Sequence, residues 1–247
     1  MAQNIYDNET FFTQYAQLNR SIYGLNGAPE WSSIVRMLPN NLEGLNVIDL
    51  GCGYGWFCRY AQQKGVKHVL GLDISERMLN KAKEMTLNNE ITYRLENLEH
   101  LELPEDTYDL AYSSLTLHYI EDLSRLLKTI YRSLKAGGYL IFSCEHPIYT
   151  APKVPNWSID KDGKKSWPIN NYQTEGCRVT DWLVNGVIKQ HRTMATYLNI
   201  LIDRGFEIKC VEEWGPTSQQ IIENPALEEE KERPMILLIS VQKPANK

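Results

Sequence analysis

The stretch "NVIDLGCGYGWFCRYAQQKG", residues 46–65, predicts a buried strand, a glycine-rich turn and a helix. Its apolar run ends in Asp49, and glycines follow at positions 51, 53 and 55. Because glycine has no side chain, such a turn lets the backbone approach a ligand closely. The turn could hold a dinucleotide, a nucleoside triphosphate or another ligand that contains a ribose.

The residues around the glycine turn distinguish between these three kinds of ligand. A dinucleotide fingerprint needs a glycine three positions after the second glycine, whereas Trp56 follows directly after the third glycine here. No Lys-Ser or Lys-Thr pair follows the glycines, which excludes the triphosphate loop. Asp73 closes the next predicted strand, and an acid at that strand end accepts hydrogen bonds from ribose hydroxyls in doubly wound sheets.

Composition narrows the class of protein. The chain has 247 residues, is 43% hydrophobic and 23% charged, and carries a net charge of −5. It has no long basic block, so we expect neither nucleic acid nor an anionic membrane as its partner. Its five cysteines form no C-x-x-C pair, and the N-terminus has no secretory pattern. These features predict a cytoplasmic protein with reduced thiols, without a metal and without a membrane span.

The order of predicted elements indicates the fold class. Between residues 46 and 145, apolar strands alternate with amphipathic helices, which is typical of a parallel sheet covered on both faces. Ser75 is the expected N-cap of the second of these helices. The helix that begins near residue 122 is expected to end at Gly137 and Gly138. Residues 1–40 predict a helical cap in front of the sheet.

The pattern changes after His146. Residues 147–172 contain four prolines and no periodicity, and Asn185-Gly186 is a strong hairpin signal. A segment this short and this rich in proline cannot form a core of its own. We therefore predict a single domain over residues 1–247, with residues 147–192 as an inserted substrate lid that includes a β-hairpin. A helix and two strands are expected after it.

The segment "VIDLGCGYGWFCRYAQQKGVKHVLGLDISERMLNKAK" resembles motif I and the next acidic strand of class I S-adenosylmethionine-dependent methyltransferases. The segments "LEHLELPEDTYDLAYSSLTLHYIEDL" and "LKAGGYLIFSCEHP" are similar to their later conserved regions, in the same order. A weaker similarity points to small-molecule methyltransferases of bacteria. The resemblance implies an α/β fold: a Rossmann-like, seven-stranded, mostly parallel sheet with helices on both faces and an antiparallel last strand.

The same resemblance implies S-adenosyl-L-methionine as the cofactor, S-adenosyl-L-homocysteine as its product, and no metal. Asp73 would bind the ribose hydroxyls, and Asn97 stands where the family usually has an Asp that faces the adenine amine. The cofactor residues that the resemblance implies are Tyr15, Gly51, Cys52, Gly53, Gly55, Asp73, Ile74, Met78, Asn97, Leu98, Ser113 and Leu115.

The acceptor should bind beyond the carboxyl ends of the strands. Methyl transfer depends mainly on in-line positioning with water excluded, but a hydroxyl or a protonated amine also needs a base. His146 follows the fifth predicted strand and is the first candidate for that base, with His191 as the second. Arg192 could bind a carboxylate or a phosphate. The predicted substrate residues are His118, Tyr149, Trp182 and Arg192.

The leading hypothesis is an enzyme that moves a methyl group to an O or N atom of a small-molecule acceptor, as a monomer or a homodimer. An RNA or protein methyltransferase is an alternative, although the acidic charge argues against RNA. A protein that binds S-adenosylmethionine without catalysis also remains open. A nucleotide-dependent oxidoreductase is disfavoured by Trp56 in the glycine turn.

Overall fold

The computed structural model describes residues 3–87 and 90–245. The strands within these ranges are β1 (Asn46–Leu50), β2 (His68–Asp73), β3 (Ile91–Leu95), β4 (Tyr108–Ser114), β5 (Leu134–Glu145), β6 (Ser158–Ile159), β7 (Lys165–Ser166), β8 (Gly176–Trp182), β9 (Val184–His191), β10 (Glu207–Glu213) and β11 (Ile236–Gln242). The helices are α1 (Glu9–Tyr15), α2 (Asn19–Ile22), α3 (Trp31–Met37), α4 (Trp56–Gln63), α5 (Glu76–Glu84), α6 (Leu123–Ser133), α7 (Pro147–Thr150), α8 (Met194–Asp203) and α9 (Ser218–Glu223).

Seven strands form one sheet in the order β10-β11-β5-β4-β1-β2-β3. The pairs β5–β4, β4–β1, β1–β2 and β2–β3 are parallel. β11 runs antiparallel to both of its neighbours, β5 and β10. The predicted Rossmann-like sheet with an antiparallel last strand is therefore confirmed.

Both faces of the sheet are buried under helices. Ile48 and Leu50 of β1 belong to one apolar cluster, which also contains the buried residues of α6. Val47, directly before Ile48 in the chain, belongs to a second cluster on the opposite face with Phe57 and Cys58 of α4. Side chains alternate between faces along a strand, so this partition explains why the predicted strands are apolar almost throughout.

The glycines at 137 and 138 do not end α6, contrary to the prediction. The helix ends at Ser133, and β5 begins at the next residue and runs through both glycines. The pairing of β5 with β4 is irregular here, between the partners of Tyr108 and Leu110. Gly137 has a φ of +81°, a conformation that a residue with a side chain rarely adopts. The glycines therefore serve an irregular strand rather than a helix end.

The predicted hairpin exists as β8 and β9, but its tip is displaced. Trp182 pairs with Val184, so Leu183 forms the turn with a φ of +61°. Asn185 and Gly186 lie inside β9 where the register shifts, and the backbone N–H of Gly186 donates to Oδ1 of Asp181 at 3.2 Å. The dipeptide accommodates a bulge instead of the turn.

The predicted cap spans residues 1–40, of which residues 1 and 2 lie outside the described ranges. Its described part contains α1, α2, α3 and short 3₁₀-helices at Ile5–Asp7 and Gly24–Gly27. The turn at Gly24 contacts Trp56 of α4, because a Cβ on this glycine would lie 2.4 Å from the indole ring. An ion pair of 3.0 Å between Arg20 and Glu30 joins α2 to the residue before α3. Across residues 3–87 and 90–245, no helix combines the length and the hydropathy that spanning a bilayer requires.

Candidate functional site

A cavity of about 640 Å³ lies at the carboxyl ends of β1, β2, β4 and β5. Turn residues that follow these strands form one wall, and residues between 3 and 34 form another. Its volume falls within the range of about 300–1,000 Å³ that is usual for small-molecule sites. The strand ends predicted to carry the site therefore open into a single cavity.

The glycine turn presents its backbone to this cavity. Gly51, Gly53 and Gly55 all have positive φ values, of +78°, +50° and +69°. A Cβ on Gly51 would lie 2.1 Å from Oγ1 of Thr116, and one on Gly55 would lie 2.2 Å from the hydroxyl of Tyr93. A Cβ on Gly53 would meet no atom within 4 Å, and Gly53 lines the cavity. The outer glycines thus permit close packing, whereas Gly53 leaves room for a ligand.

Asp73 lies at the end of β2 and is 8% exposed. Its Oδ2 accepts the backbone N–H of Gly53 at 2.8 Å, and its Oδ1 accepts that of Ser75 at 2.9 Å. Burial raises the pKa of Asp73 to about 6, although these backbone hydrogen bonds oppose the rise. A carboxylate oxygen has two lone pairs, so each oxygen can also accept a ligand hydroxyl from the cavity.

Asp49, the acid near the end of β1, also lines the cavity, although it was not among the predicted cofactor residues. It is 2% exposed, and the thiol of Cys58 contacts its Oδ2 at 3.2 Å. Burial raises its pKa to about 7. A buried carboxylate with so weak a partner is stabilised by any cationic ligand that enters the cavity.

Most of the cofactor residues implied by the family resemblance line this cavity. In addition to those described above, they are Tyr15, Cys52, Ile74, Met78, Asn97, Leu98 and Leu115. Gly55 and Ser113 are not among the lining residues. Ser113 is fully buried and donates its hydroxyl to the carbonyl oxygen of Leu50 at 2.8 Å. Its neighbours Tyr112 and Ser114 line the cavity instead, because side chains alternate along β4.

The structure does not bring His146 to the cavity. The residue is 1% exposed and lies at the N-cap of α7, where its Nδ1 accepts the backbone N–H of Ile148 at 3.0 Å. Its Nε2 therefore carries the proton and donates to Glu213 at 2.8 Å. Burial lowers the pKa of His146. With both nitrogens engaged, His146 joins the end of β5 to β10 and is not available as a base in this arrangement.

His191 and Arg192 are likewise directed away from the cavity lining. His191 is fully buried, with its Nε2 donating to the carbonyl oxygen of Tyr172 and its Nδ1 accepting the hydroxyl of Thr150, both at 2.8 Å. Arg192 donates from Nη2 to the carbonyl oxygens of Ile120 and Glu121. Both residues fix loops around the site rather than contact its interior.

The other predicted substrate residues, His118, Tyr149 and Trp182, do line the cavity. His118 is 2% exposed, and its Nδ1 accepts the backbone N–H of Glu145 at 3.2 Å. Burial, together with the charges of Lys189 and Arg192, holds the pKa of His118 well below its usual range. The ring is therefore uncharged at neutral pH.

Sequence reasoning missed several polar groups of this wall. Glu145 lines the cavity and forms an ion pair with Lys189, whose Nζ also lies 4.9 Å from the ring centre of Trp182. The hydroxyls of Tyr6 and Tyr119 lie 3.3 Å apart at the same cavity. The position of Glu145 at the end of an apolar strand was the one sequence signal for this group. In the part of the chain that the structure describes, no cluster of His, Cys, Asp and Glu is arranged to hold a metal ion.

Comparison with known proteins identifies the family. The family model described as a methyltransferase domain matches residues 48–142. The crystal structure of an S-adenosylmethionine-dependent methyltransferase from Mesorhizobium loti is 52% identical and has a TM-score of 0.85, with 89% of this chain and 100% of that chain covered. A second such structure, of a putative enzyme from Listeria monocytogenes, is 41% identical with a TM-score of 0.80, covering 87% and 98%.

A third similarity covers only the central part of the chain. A malonyl-acyl-carrier-protein O-methyltransferase of Hamiltonella defensa is 37% identical over 97 residues, which span 39% of this chain and 36% of that protein. The two solved structures, by contrast, match 89% and 87% of this chain. The chain belongs to the class I S-adenosylmethionine-dependent methyltransferases.

Proposed function

We propose that this methyltransferase transfers the methyl group to an O or N atom of a small molecule that enters the same cavity as the cofactor. One observation carries the proposal: Gly53 and Asp73 line the same cavity as His118, Tyr149 and Trp182. The cavity is lined by residues between 3 and 34 on one side and by Trp182 of the β8–β9 hairpin on another. Such enclosure suits a small acceptor better than an extended polymer.

The geometry of the glycine turn and Asp73 fits the cofactor. The open space above Gly53 receives the methionine and ribose portion, while the carboxylate of Asp73 accepts the ribose hydroxyls. Ile74, Met78 and Leu98 form an apolar surface for the adenine. When bound, S-adenosylmethionine supplies a methyl group that its sulfonium activates. The residues of the cavity wall hold the two reactants in line and exclude water.

The histidines around the cavity support catalysis by positioning of the reactants, not catalysis by a histidine base. His146 and His191 have both ring nitrogens engaged in hydrogen bonds within the fold. His118 reaches the cavity, but its Nδ1 is an acceptor within the fold, so its Nε2 carries a proton. In this proposal the acceptor reacts in a form that already has a free lone pair and needs no histidine base.

The mutation Gly53→Ala is expected to weaken cofactor binding about 5- to 100-fold, because the new methyl group occupies ligand space, as in an overpacked core. The matched control is Gly163→Ala. Both glycines have positive φ, and a Cβ on either meets no protein atom within 4 Å. Each variant should lose about 1–2 kcal/mol of unfolding free energy. Calorimetric titration with S-adenosylhomocysteine separates them, and equal affinities in both variants would contradict the placement of the cofactor.

Residues 147–192 act as a lid over the acceptor end of the cavity in this proposal. Its first part is held by Arg233, whose guanidinium lies 5.0, 5.5 and 4.6 Å from the ring centres of Tyr149, Trp157 and Trp167. Arg233 also forms an ion pair of 2.7 Å with Glu230. This cluster connects the lid to the residues just before β11, and thus to the sheet.

Thermolysin is expected to cut first between residues 152 and 171, and cofactor plus acceptor should slow this cleavage. Arg233→Gln should speed it about 3- to 30-fold, because cation–π contacts of a partly buried guanidinium contribute about 0.5–2 kcal/mol. The control Lys81→Gln breaks an exposed ion pair with Glu84 on α5, outside the lid, and should change the rate by less than about threefold. First cleavage within the parallel strands would count against the lid.

The function is tested by transfer of labelled methyl groups into a cell extract that has been separated into small-molecule and macromolecular fractions. We expect label in the small-molecule fraction, and loss of that label with Gly53→Ala. Label found only on RNA or protein would reject the proposal. A malonyl-acyl-carrier protein, the acceptor in the name of the Hamiltonella enzyme, would appear in the protein fraction. Cofactor binding without transfer to any fraction would favour a binding protein without catalysis.

A further inference from the structure

We infer that the methyl acceptor carries an anionic oxygen group, a carboxylate or a phosphate, and that His118 selects it by donating a hydrogen bond from Nε2–H. This inference rests on the proposed function, since it names the chemistry of the small molecule in the same cavity. Its basis is the hydrogen bonding of one ring and the balance of buried charge around it.

His118 presents a donor to the cavity. It lies in the 3₁₀-helix Leu117–Tyr119, directly after β4, and lines the cavity while only 2% exposed. Because Nδ1 accepts the backbone N–H of Glu145, the proton of the neutral ring lies on Nε2. Among residues 3–87 and 90–245, no hydrogen-bond partner is found for Nε2. Nε2 is open to the cavity rather than sealed in the core, so its N–H can donate to an acceptor atom of a ligand there.

The surrounding charge favours a negative ligand. Lys189 and Arg192 are 3% and 8% exposed. The charge of Lys189 is balanced by its ion pair with Glu145. Arg192 has no ion pair with a carboxylate in the described part of the chain: its Nη2 binds carbonyl oxygens, and its Nη1 is buried without a hydrogen-bond partner.

Those carbonyl oxygens belong to Ile120 and Glu121, so the guanidinium of Arg192 lies behind the turn that carries His118. At His118, the two cations Lys189 and Arg192 are therefore opposed by the single carboxylate of Glu145. A buried charge without a counter-charge is unfavourable in a low-dielectric interior. An anion at His118 supplies the missing charge and fills the free Nε2–H at the same time.

A cationic group does not fit this position. An ammonium has only donor hydrogens, so it would face the Nε2–H of His118 donor to donor. A neutral carbonyl oxygen could accept the hydrogen bond but would leave Arg192 uncompensated. The N–H donor of His118 and the uncompensated charge of Arg192 together favour a negatively charged oxygen.

The test uses sodium malonate and sodium phosphate as probes for the protein saturated with S-adenosylhomocysteine. Sodium chloride at equal ionic strength and ethylammonium chloride are the controls. Because both anions also stabilise folded proteins by exclusion from the surface, we expect malonate or phosphate to raise the Tm beyond the effect of chloride, and to raise it more in the wild type than in His118→Leu in the same salt. Ethylammonium should give no rise. The anion with the larger effect identifies the group as a carboxylate or as a phosphate. A response equal to that of chloride, or a larger response to ethylammonium, would overturn the inference.

Two substitutions then test the donor itself. His118→Gln keeps an amide N–H near the position of Nε2, whereas His118→Leu removes it. We expect the leucine variant to bind the effective anion about 10- to 100-fold more weakly, as for the loss of a hydrogen bond to a charged group, and the glutamine variant to retain most of the affinity. Equal affinity for S-adenosylhomocysteine in all three proteins shows an intact cavity. Unchanged anion affinity in the leucine variant would reject His118 as the donor.

Failure of this inference is distinguishable from failure of the proposed function. If labelled methyl groups enter only uncharged or cationic small molecules, the anionic acceptor is rejected while the small-molecule function stands. If label enters only macromolecules, the proposed function fails, and the anion titrations with the two His118 variants still decide whether this site exists.

Discussion

Replacing the buried carboxylate of Asp49 by an amide is expected to stabilise the ligand-free protein by about 4 kcal/mol at pH 8. Burial raises the pKa of Asp49 from 3.8 to about 7, and each unit corresponds to about 1.36 kcal/mol between the two protonation states. The folded state therefore holds this proton more tightly than the unfolded state. Asp49→Asn removes the cost of ionising the group in the interior.

The gain in unfolding free energy from Asp49→Asn should depend on pH. Below about pH 4 the carboxyl is protonated in both states, and it contributes no penalty. Between about pH 4 and 7 the folded state binds more protons than the unfolded state, so the unfolding free energy falls as the pH rises. Above pH 7 the full penalty is present. Asp49→Asn should thus match the wild type at pH 4 and exceed it progressively up to pH 8.

Urea unfolding of the ligand-free protein between pH 4 and 8 measures this difference. Asp162→Asn is the control, because Asp162 lies exposed in the loop between β6 and β7. It should change the unfolding free energy by less than about 0.5 kcal/mol at every pH. A flat difference between Asp49→Asn and wild type across this range would contradict the buried, ionisable state of Asp49.

The same substitution should weaken binding of S-adenosylmethionine, whose sulfonium is positively charged. An ionised Asp49 at the cavity wall favours a cation, whereas an amide does not. A gain in stability combined with a loss in affinity is typical of residues kept for function. Neutral or improved cofactor affinity in Asp49→Asn would show that Asp49 has no part in binding.

The sheet could be predicted because its signals are local. Strand β10 has the bounds of the apolar-polar stretch "EIKCVEE", and Ser75 caps α5 as expected, with its Oγ accepting the N–H of Met78 at 3.1 Å. The predictions from sequence were wrong at two glycine positions, because glycine occurs in several kinds of backbone structure. Gly137 and Gly186 both adopt positive φ inside strands, and sequence alone does not distinguish an irregular strand from a helix end or a turn.

The candidate site was predictable only at the level of strand ends. Gly53 and Asp73 share the cavity because parallel neighbours bring their carboxyl ends together. The direction of a side chain beyond a strand end depends on distant partners. His146 turns toward Glu213, which is 67 residues away in the chain, and His118 turns toward the backbone of Glu145. No local pattern encodes those contacts, so sequence reasoning placed His146 at the open end of the sheet, whereas His118 is the histidine that lines the cavity.

Asp73→Ala should weaken binding of S-adenosylmethionine and S-adenosylhomocysteine about 10- to 100-fold. A hydrogen bond to a charged group contributes about 1.5–3 kcal/mol, and the carboxylate of Asp73 also fixes the N–H groups of Gly53 and Ser75. The wild-type affinity should itself decrease as the pH falls below 6, because burial raises the pKa of Asp73 to about 6 and protonation removes the charge.

Asp7→Ala is the control for Asp73→Ala, because it should lower stability near the same turn without removing a cofactor contact. Asp7 accepts the hydroxyl of Ser75 at 2.6 Å and the N–H of Arg77 at 3.2 Å, but it does not line the cavity. Removing it should lower stability through the start of α5 while leaving cofactor affinity within about twofold. Calorimetry on the two variants and the wild type, with NAD as a second ligand, measures the contrast. Because the turn lacks the dinucleotide spacing, NAD should not bind; comparable NAD binding, or an unaffected Asp73→Ala, would remove Asp73 from the cofactor site.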